Sequence, residues 1–243
     1  MSRHRNGHGR EWLSSRAAPI TAHVARGRFT GLLVFLLTMA VVGGTVRDSQ
    51  TRDVLISVAF FLLLVFAILS VTRRLRFVTA TLGFSAVVAH WSLHFEAYTL
   101  PRTMVFGLTT AFLAFLTQVV LLSVLRDEAV TADTIVGAVC AYFLLGVTWG
   151  TGYALLALNA PDSFAVSPGL VAAAGWGPPT SPFVPLLEYY SMTTLSSLGF
   201  GDVSPITGAA RTLSAFEGAV GQVYMAVLIA RLVGIHTARR AKD

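Results

Sequence analysis

A short run of glycine and polar residues lies between two long apolar segments. The run is Ser197-Leu198-Gly199-Phe200-Gly201-Asp202. Glycine permits positive φ angles, which can turn successive backbone carbonyls toward one side. A line of carbonyls that faces one axis can replace the hydration shell of a cation. The chemistry that this run predicts is therefore cation coordination by main-chain oxygens.

The segments on either side of the run have the lengths of a short helix and of a membrane span. Residues 186–195 have the period of a helix that is too short to cross a bilayer, whereas residues 212–236 are long enough at 1.5 Å per residue. Irregular backbone at membrane depth is tolerated only where protein buries it or where it lines a water-filled cavity. The arrangement predicts a re-entrant pore loop.

The run resembles the selectivity filter of the potassium-channel superfamily, whose usual form is Thr-Val-Gly-Tyr/Phe-Gly-Asp. The preceding Thr194-Leu195-Ser196-Ser197 stands where the family has Thr-Leu-Thr-Thr. Arg211 and Gly221 follow Asp202 at the intervals of simple two-helix potassium channels. The resemblance implies an ion channel of the prokaryotic type with a single pore loop in each subunit.

The resemblance also implies which atoms bind the ion. The K+ ligands would be the carbonyls of Ser197, Leu198, Gly199 and Phe200, with the Ser197 hydroxyl closing the inner site and Gly201 completing the filter. Serine lacks the branch that restricts χ1 in threonine, so the inner site should be less rigid than usual. We therefore expect selectivity for potassium over sodium, with a weakly selective cation pore as the alternative.

A second group of residues is predicted to support the filter. Two tyrosines occupy positions where simple channels often have paired tryptophans, and they could form a stiffening cuff or merely an interfacial belt. The glutamate of the last helix could bond the short helix behind the filter, or lie near the outer headgroups. A threonine replaces a glutamate that pairs with the filter aspartate in some members. The group is Tyr189, Tyr190, Thr193, Thr194, Asp202 and Glu217.

The last helix carries the predicted gate. Gly221 matches the hinge of the family, although a glycine here could instead permit close helix packing. A spacing of three to four residues places the predicted pore-lining side chains on one helix face. They are Gln222, Met225, Ile229 and Val233.

Composition and hydropathy predict an all-α integral membrane protein. Hydrophobic residues make up 54% of the chain and charged residues only 12%, which disfavours a soluble domain. Residues 1–29 form a basic N-terminal segment, residues 30–126 a four-helix membrane domain and residues 131–243 a pore domain that includes a turret over 159–182. The six predicted transmembrane helices, with the re-entrant helix between the last two, span residues 30–46, 54–71, 77–94, 103–125, 134–158 and 212–236.

The distribution of basic residues predicts the orientation. Of the 18 Lys and Arg residues, fourteen lie on the same side as the termini if six helices span the membrane. The other four are Arg47, Arg52, Arg102 and Arg211. This asymmetry follows the positive-inside rule and predicts cytoplasmic termini in a plasma-membrane protein. The basic residues behind the net charge of +6 are therefore explained by membrane orientation, and they could also attract anionic lipid. No nucleic-acid partner is expected.

The remaining observations concern mechanism and assembly. Residues 103–125 contain no charged residue, so no voltage sensor is expected. Four loops are needed to ring a cation, which predicts a homotetramer. We expect no enzymatic activity and no cofactor besides permeant K+. A transporter or a partner subunit that does not conduct alone are the alternative classes.

Two isolated features have simple explanations. Cys140 is the single cysteine, so we expect a packing residue with no disulfide. His90 and His94 lie four residues apart and could bind a metal with Glu96, although an interfacial position is the simpler explanation.

Overall fold

The computed structural model describes most of the apolar part of the chain. The described residues are 29–45, 55, 58, 59, 61–65, 68, 75–92, 101–126, 131–170 and 184–240. The helices are α1 (Thr30–Thr45), α2 (Arg76–Ser92), α3 (Arg102–Arg126), α4 (Ala132–Asn159), α5 (Val184–Leu195) and α6 (Gly208–Arg240). A 3-10 turn over Pro161–Ser163 and the strands β1 (Phe164–Val166) and β2 (Val203–Pro205) complete these elements.

Three of these helices are long and apolar enough to cross a membrane. They comprise α3, α4 and the segment Gly208–Arg231 of α6. Helices α1 and α2 have 16 and 17 residues in the described part of the chain. The second predicted span, 54–71, is described only in part, with residues 61–65 helical. The six-span topology therefore stays a prediction, and the basic segment 1–28 lies outside the described residues.

The amino terminus of α4 is fixed by a capping box. The hydroxyl of Thr131 accepts a hydrogen bond from the Thr134 amide at 3.2 Å, and the Thr131 amide donates to the Thr134 hydroxyl at 3.4 Å. Reciprocal bonds of this kind satisfy backbone donors that have no partner inside the helix. They set the start of the helix that carries most of the interior contacts.

Two apolar clusters hold the helices together. The larger one joins α1, α2, α3 and α4 through buried side chains such as Leu32, Phe112, Leu116 and Leu144. The smaller one lies between α4, α5 and the strands, and includes Tyr153, Leu186, Leu187, Tyr190 and Val203. Helix α4 belongs to both clusters and thus connects the first helices to the segment around α5.

Glycines let α5 approach α4 very closely. A Cβ at Gly150 would lie 2.7 Å from the Cα of Glu188, and one at Gly146 would meet Met192. Small residues at a spacing of four bring two helix backbones together in this way. The close packing fixes the position of α5 and of the loop that follows it.

A two-stranded antiparallel sheet lies where the sequence predicted an irregular turret. Strands β1 and β2 pair in the register Phe164 to Pro205 and Val166 to Val203. The Ser167 amide also donates to the Asp202 carbonyl at 2.8 Å. Three-residue strands lack the alternating pattern by which longer strands are identified, so the sequence did not predict them. The sheet ties the segment after α4 to the chain after Asp202.

Helix α6 is held at its side by α4 and α3. The Tyr224 hydroxyl donates to the Ala138 carbonyl at 2.5 Å, and the Arg231 guanidinium donates to the Val124 carbonyl in the last turn of α3. Another face of α6 carries exposed apolar side chains, including Phe216, Val223 and Ile229. This face is uncovered in the single chain.

Candidate functional site

The loop over residues 196–202 has an alternating backbone conformation. Ser197, Gly199 and Gly201 have φ angles of 60°, 53° and 77°, whereas Leu198 and Phe200 do not have positive φ. Alternation between positive and negative φ can turn successive peptide groups toward one side of the chain. Glycine adopts positive φ without strain, which explains two of the three positions.

Hydrogen bonds show which side these N–H groups face. The amides of Leu198 and Gly199 both donate to the carbonyl oxygen of Thr193 on α5, at 2.8 Å and 3.2 Å. In a trans peptide the C=O points opposite to the N–H. The carbonyls of Ser197 and Leu198 therefore point away from α5. The loop thus presents two successive main-chain oxygens on its open side.

Asp202 anchors the far end of the loop. The Tyr189 hydroxyl donates to Asp202 Oδ2 at 2.7 Å, and the Val203 amide donates to Asp202 Oδ1 at 3.0 Å. The Tyr189 ring also stacks on the Phe200 ring, with centroids 6.3 Å apart and an angle of 3° between the planes. The Tyr190 hydroxyl does not share this contact and instead donates to Ser214 Oγ on α6 at 2.6 Å.

Glu217 lies in a polar cluster behind α5. Its side chain is 0% exposed. The Tyr153 hydroxyl of α4 donates to Glu217 Oε2 at 2.6 Å, and the Ser191 hydroxyl of α5 donates to Oε1. Ser191 Oγ also lies 2.7 Å from the carbonyl oxygen of Gly146. One buried carboxyl group thereby joins α4, α5 and α6.

Two threonines at the end of α5 contribute backbone groups to the loop. The Thr193 hydroxyl donates to the Tyr190 carbonyl at 2.9 Å, so it is turned back toward its own helix. The Thr194 carbonyl accepts from the Ser197 amide at 3.0 Å. Their carbonyl oxygens, and not their side chains, define how the chain leaves α5.

Gly221 lies where α6 crosses the end of α5. A Cβ at this position would collide with the carbonyl oxygen of Leu195. Helix α6 runs continuously through Gly221. Gly221 therefore permits the close contact between α6 and the end of α5, and its role as a hinge stays a prediction.

The predicted pore-lining residues all lie exposed on α6. Met225, Ile229 and Val233 are exposed apolar side chains. Gln222 differs from them, because its Nε2 donates to the Ser197 hydroxyl at 2.8 Å. The structure thus connects α6 directly to Ser197 in the loop.

Sequence reasoning missed three residues of the polar cluster. These are Tyr153, Ser191 and Ser214, each of which donates to or accepts from a group predicted for the site. A signal existed for Tyr153, because it lies three residues after Gly150 on α4. Residues three apart share a helix face, so its ring lies on the face that Gly146 and Gly150 leave open. Ser191 and Ser214 carry no such signal, because isolated serines are common in membrane helices.

The alternative metal site lies partly outside the described residues. His90 is on α2, whereas His94 and Glu96 lie in the part that is not described. Within the described ranges, no group of three or more His, Cys, Asp or Glu side chains could hold a metal ion. Cys140 is buried, and its Sγ donates to the Phe29 carbonyl at 3.3 Å.

Comparison with known proteins gives one match, over the segment that contains the site. Residues 187–237 match a family model described as "Ion channel". No curated protein and no solved structure matches the chain. The matched segment includes most of α5, the 196–202 loop and most of α6. Together with the three apolar helices, the similarity of this segment to ion channels supports a membrane protein and points to a channel rather than to an enzyme.

Proposed function

We propose that the chain is a subunit of a potassium-selective channel that conducts ions passively through the 196–202 loop. The observation that carries this proposal is the orientation of the Ser197 and Leu198 carbonyls, which follows from the two amide bonds to Thr193. Oxygens held on one side of a rigid loop can replace the water around an alkali cation. The alternating φ angles extend the same conformation to Gly201.

The proposed assembly is a homotetramer with the loop at its axis. One loop supplies carbonyls from a single direction, whereas a dehydrated cation needs ligands all around it. The side chains of Leu198 and Phe200 are 64% and 65% exposed in the single chain, and the uncovered face of α6 is apolar. Cyclic symmetry would cover this face with neighbouring subunits and bring four loops together.

Opening is proposed to depend little on membrane voltage. Helix α3 carries charged residues only at its ends, Arg102 and Arg126. A charge that moves across the membrane contributes about 2.3 kcal/mol per 100 mV, and α3 has none within the apolar part. A plasma-membrane location with cytoplasmic termini, and a preference for anionic lipid, complete the proposal.

Reconstitution into liposomes with ion-replacement electrophysiology tests the function. We expect unitary currents that reverse near the potassium equilibrium potential. Substitution Gly199→Ala should reduce them strongly, because a Cβ at φ 53° costs about 1–2 kcal/mol in this conformation. Substitution Gly169→Ala is the matched control, since a Cβ there meets nothing within 4 Å.

Other outcomes would identify the alternative classes. Currents that reverse midway between the potassium and sodium equilibrium potentials would indicate a weakly selective cation pore. The serine at position 197 favours this alternative, because it lacks the β-branch that makes the inner site rigid. Saturable flux without unitary steps would indicate a transporter. Protein that forms tetramers only with another pore subunit would indicate a partner subunit.

A further inference from the structure

Serine at the start of the loop leaves one torsion angle without its usual restraint. A threonine at position 197 would have its χ1 angle restricted by the β-branch, whereas serine has three accessible rotamers. The Ser197 backbone is well fixed, since its amide donates to the Thr194 carbonyl at 3.0 Å. The Ser197 hydroxyl therefore needs a hydrogen bond from another part of the chain if it is to stay in one χ1 rotamer.

The structure supplies that restraint from α6. Gln222 Nε2 donates to Ser197 Oγ at 2.8 Å, across 25 residues of sequence. The reach is short because Gly221, the preceding residue, lets α6 contact the Leu195 carbonyl at the end of α5. The glycine at position 221 thus brings α6 close enough for the side-chain amide of Gln222 to reach the Ser197 hydroxyl.

We propose that Gln222 is a positioning and selectivity-determining residue of the channel: its amide orients the Ser197 hydroxyl toward the ion path. The inference rests on the proposed function. Because Nε2 occupies one lone pair of Ser197 Oγ, the other lone pair remains for a cation at the inner end of the loop. In a tetramer, four such pairs would form a ring in which the glutamine replaces the branch of threonine.

The proposal predicts an interaction between positions 197 and 222 that simple structural roles would not produce. Substitution Gln222→Met keeps the length of the side chain and removes the donor. We expect the potassium over sodium permeability ratio and the K+ affinity each to fall by about two- to tenfold, the range for loss of one net hydrogen bond. In the Ser197→Ala background, which has no hydroxyl to orient and adds no β-branch at φ 60°, the same substitution should change both quantities by less than about twofold.

The experiment uses full-length protein and two readouts. K+ binding is measured by titration calorimetry in detergent, and the permeability ratio is measured from reversal potentials in bilayers. Substitution Gln118→Met is the matched control, because Gln118 is an exposed glutamine of α3 far from the loop in sequence. It should leave both readouts at the wild-type values.

The outcomes separate failure of this inference from failure of the proposed function. If wild-type protein selects K+ and Gln222→Met behaves like wild type, or if Gln222→Met loses selectivity equally with serine and with alanine at position 197, the inference is wrong and the channel proposal stands. If wild-type protein neither binds nor conducts K+, both fail. Should Gln222→Met not assemble, Gln222→Asn replaces it, since an amide that is one carbon shorter loses the contact with Ser197.

Discussion

The polar cluster around Glu217 gives a quantitative prediction about how the helices are held together. Substitution Tyr153→Phe removes one of two hydroxyl donors from a carboxyl group that is 0% exposed. Substitution Glu217→Leu removes the carboxyl oxygen to which the Tyr153 hydroxyl donates, whereas Ser191 keeps the Gly146 carbonyl at 2.7 Å. Each single change should lower the free energy of unfolding by about 1–3 kcal/mol, the cost of an unsatisfied buried polar group.

The double variant should cost much less than the sum of the two single variants. With both polar partners replaced by apolar groups of similar shape, no hydroxyl of Tyr153 remains to be satisfied, and such pairs are often nearly neutral. We therefore expect a coupling free energy of about 1–3 kcal/mol between positions 153 and 217. The measurement is unfolding of the detergent-solubilised protein by sodium dodecyl sulfate, followed by tryptophan fluorescence. Trp149 is a suitable reporter, because its ring centroid lies 6.0 Å from that of Tyr153.

A matched control lies on the same helix. The Tyr142 ring packs against that of Tyr224, with ring centroids 5.7 Å apart, and the hydroxyls that donate to Glu217 are those of Tyr153 and Ser191, not that of Tyr142. The cost of Tyr142→Phe combined with Glu217→Leu should be additive. Additive costs for the Tyr153 pair as well would refute the argument, because they would show that the 2.6 Å contact contributes no interaction energy.

Two further predictions use the same preparations. Substitution Gly221→Ala should destabilise the protein in the unfolding assay, because its Cβ would meet the Leu195 carbonyl. Gly234→Ala is the control: its Cβ would meet nothing within 4 Å, so it should be neutral or stabilising by up to about 1 kcal/mol. Equal effects of the two substitutions on the free energy of unfolding would contradict the close packing at Gly221. Substitution Tyr189→Phe removes the 2.7 Å bond to Asp202 at a cost of about 0.5–1.5 kcal/mol, and should make the potassium current decline faster during sustained recording at unchanged unitary conductance. A decline at the wild-type rate would show that the Tyr189 hydroxyl does not restrain the loop.

Much of the helical architecture follows from the sequence. Apolar length and period predicted residues 103–125 and 134–158, and the structure has α3 over Arg102–Arg126 and α4 over Ala132–Asn159. The short helix predicted over 186–195 begins two residues earlier, at Val184. Such segments are predictable because the length of apolar chain needed to span a bilayer is a local property.

The two short strands and the polar cluster were decided by tertiary contacts. Val203–Pro205 is a strand only because Phe164–Val166 lies beside it. Tyr153, Ser191 and Glu217 are 26 to 64 residues apart in sequence, and they meet because glycines on α4 let α5 approach closely. No local pattern encodes such a meeting.

The sequence by itself identified the main-chain oxygens between Ser197 and Gly201 as candidate ligands, through the glycines between two apolar segments and the resemblance of this run to potassium-channel filters. Only the tertiary structure decided which way those oxygens face and what holds the first hydroxyl. The direction depends on the Thr193 carbonyl, and the hydroxyl on Gln222. Hydrogen-bond partners are chosen by which surfaces pack together, and packing is a property of the whole fold.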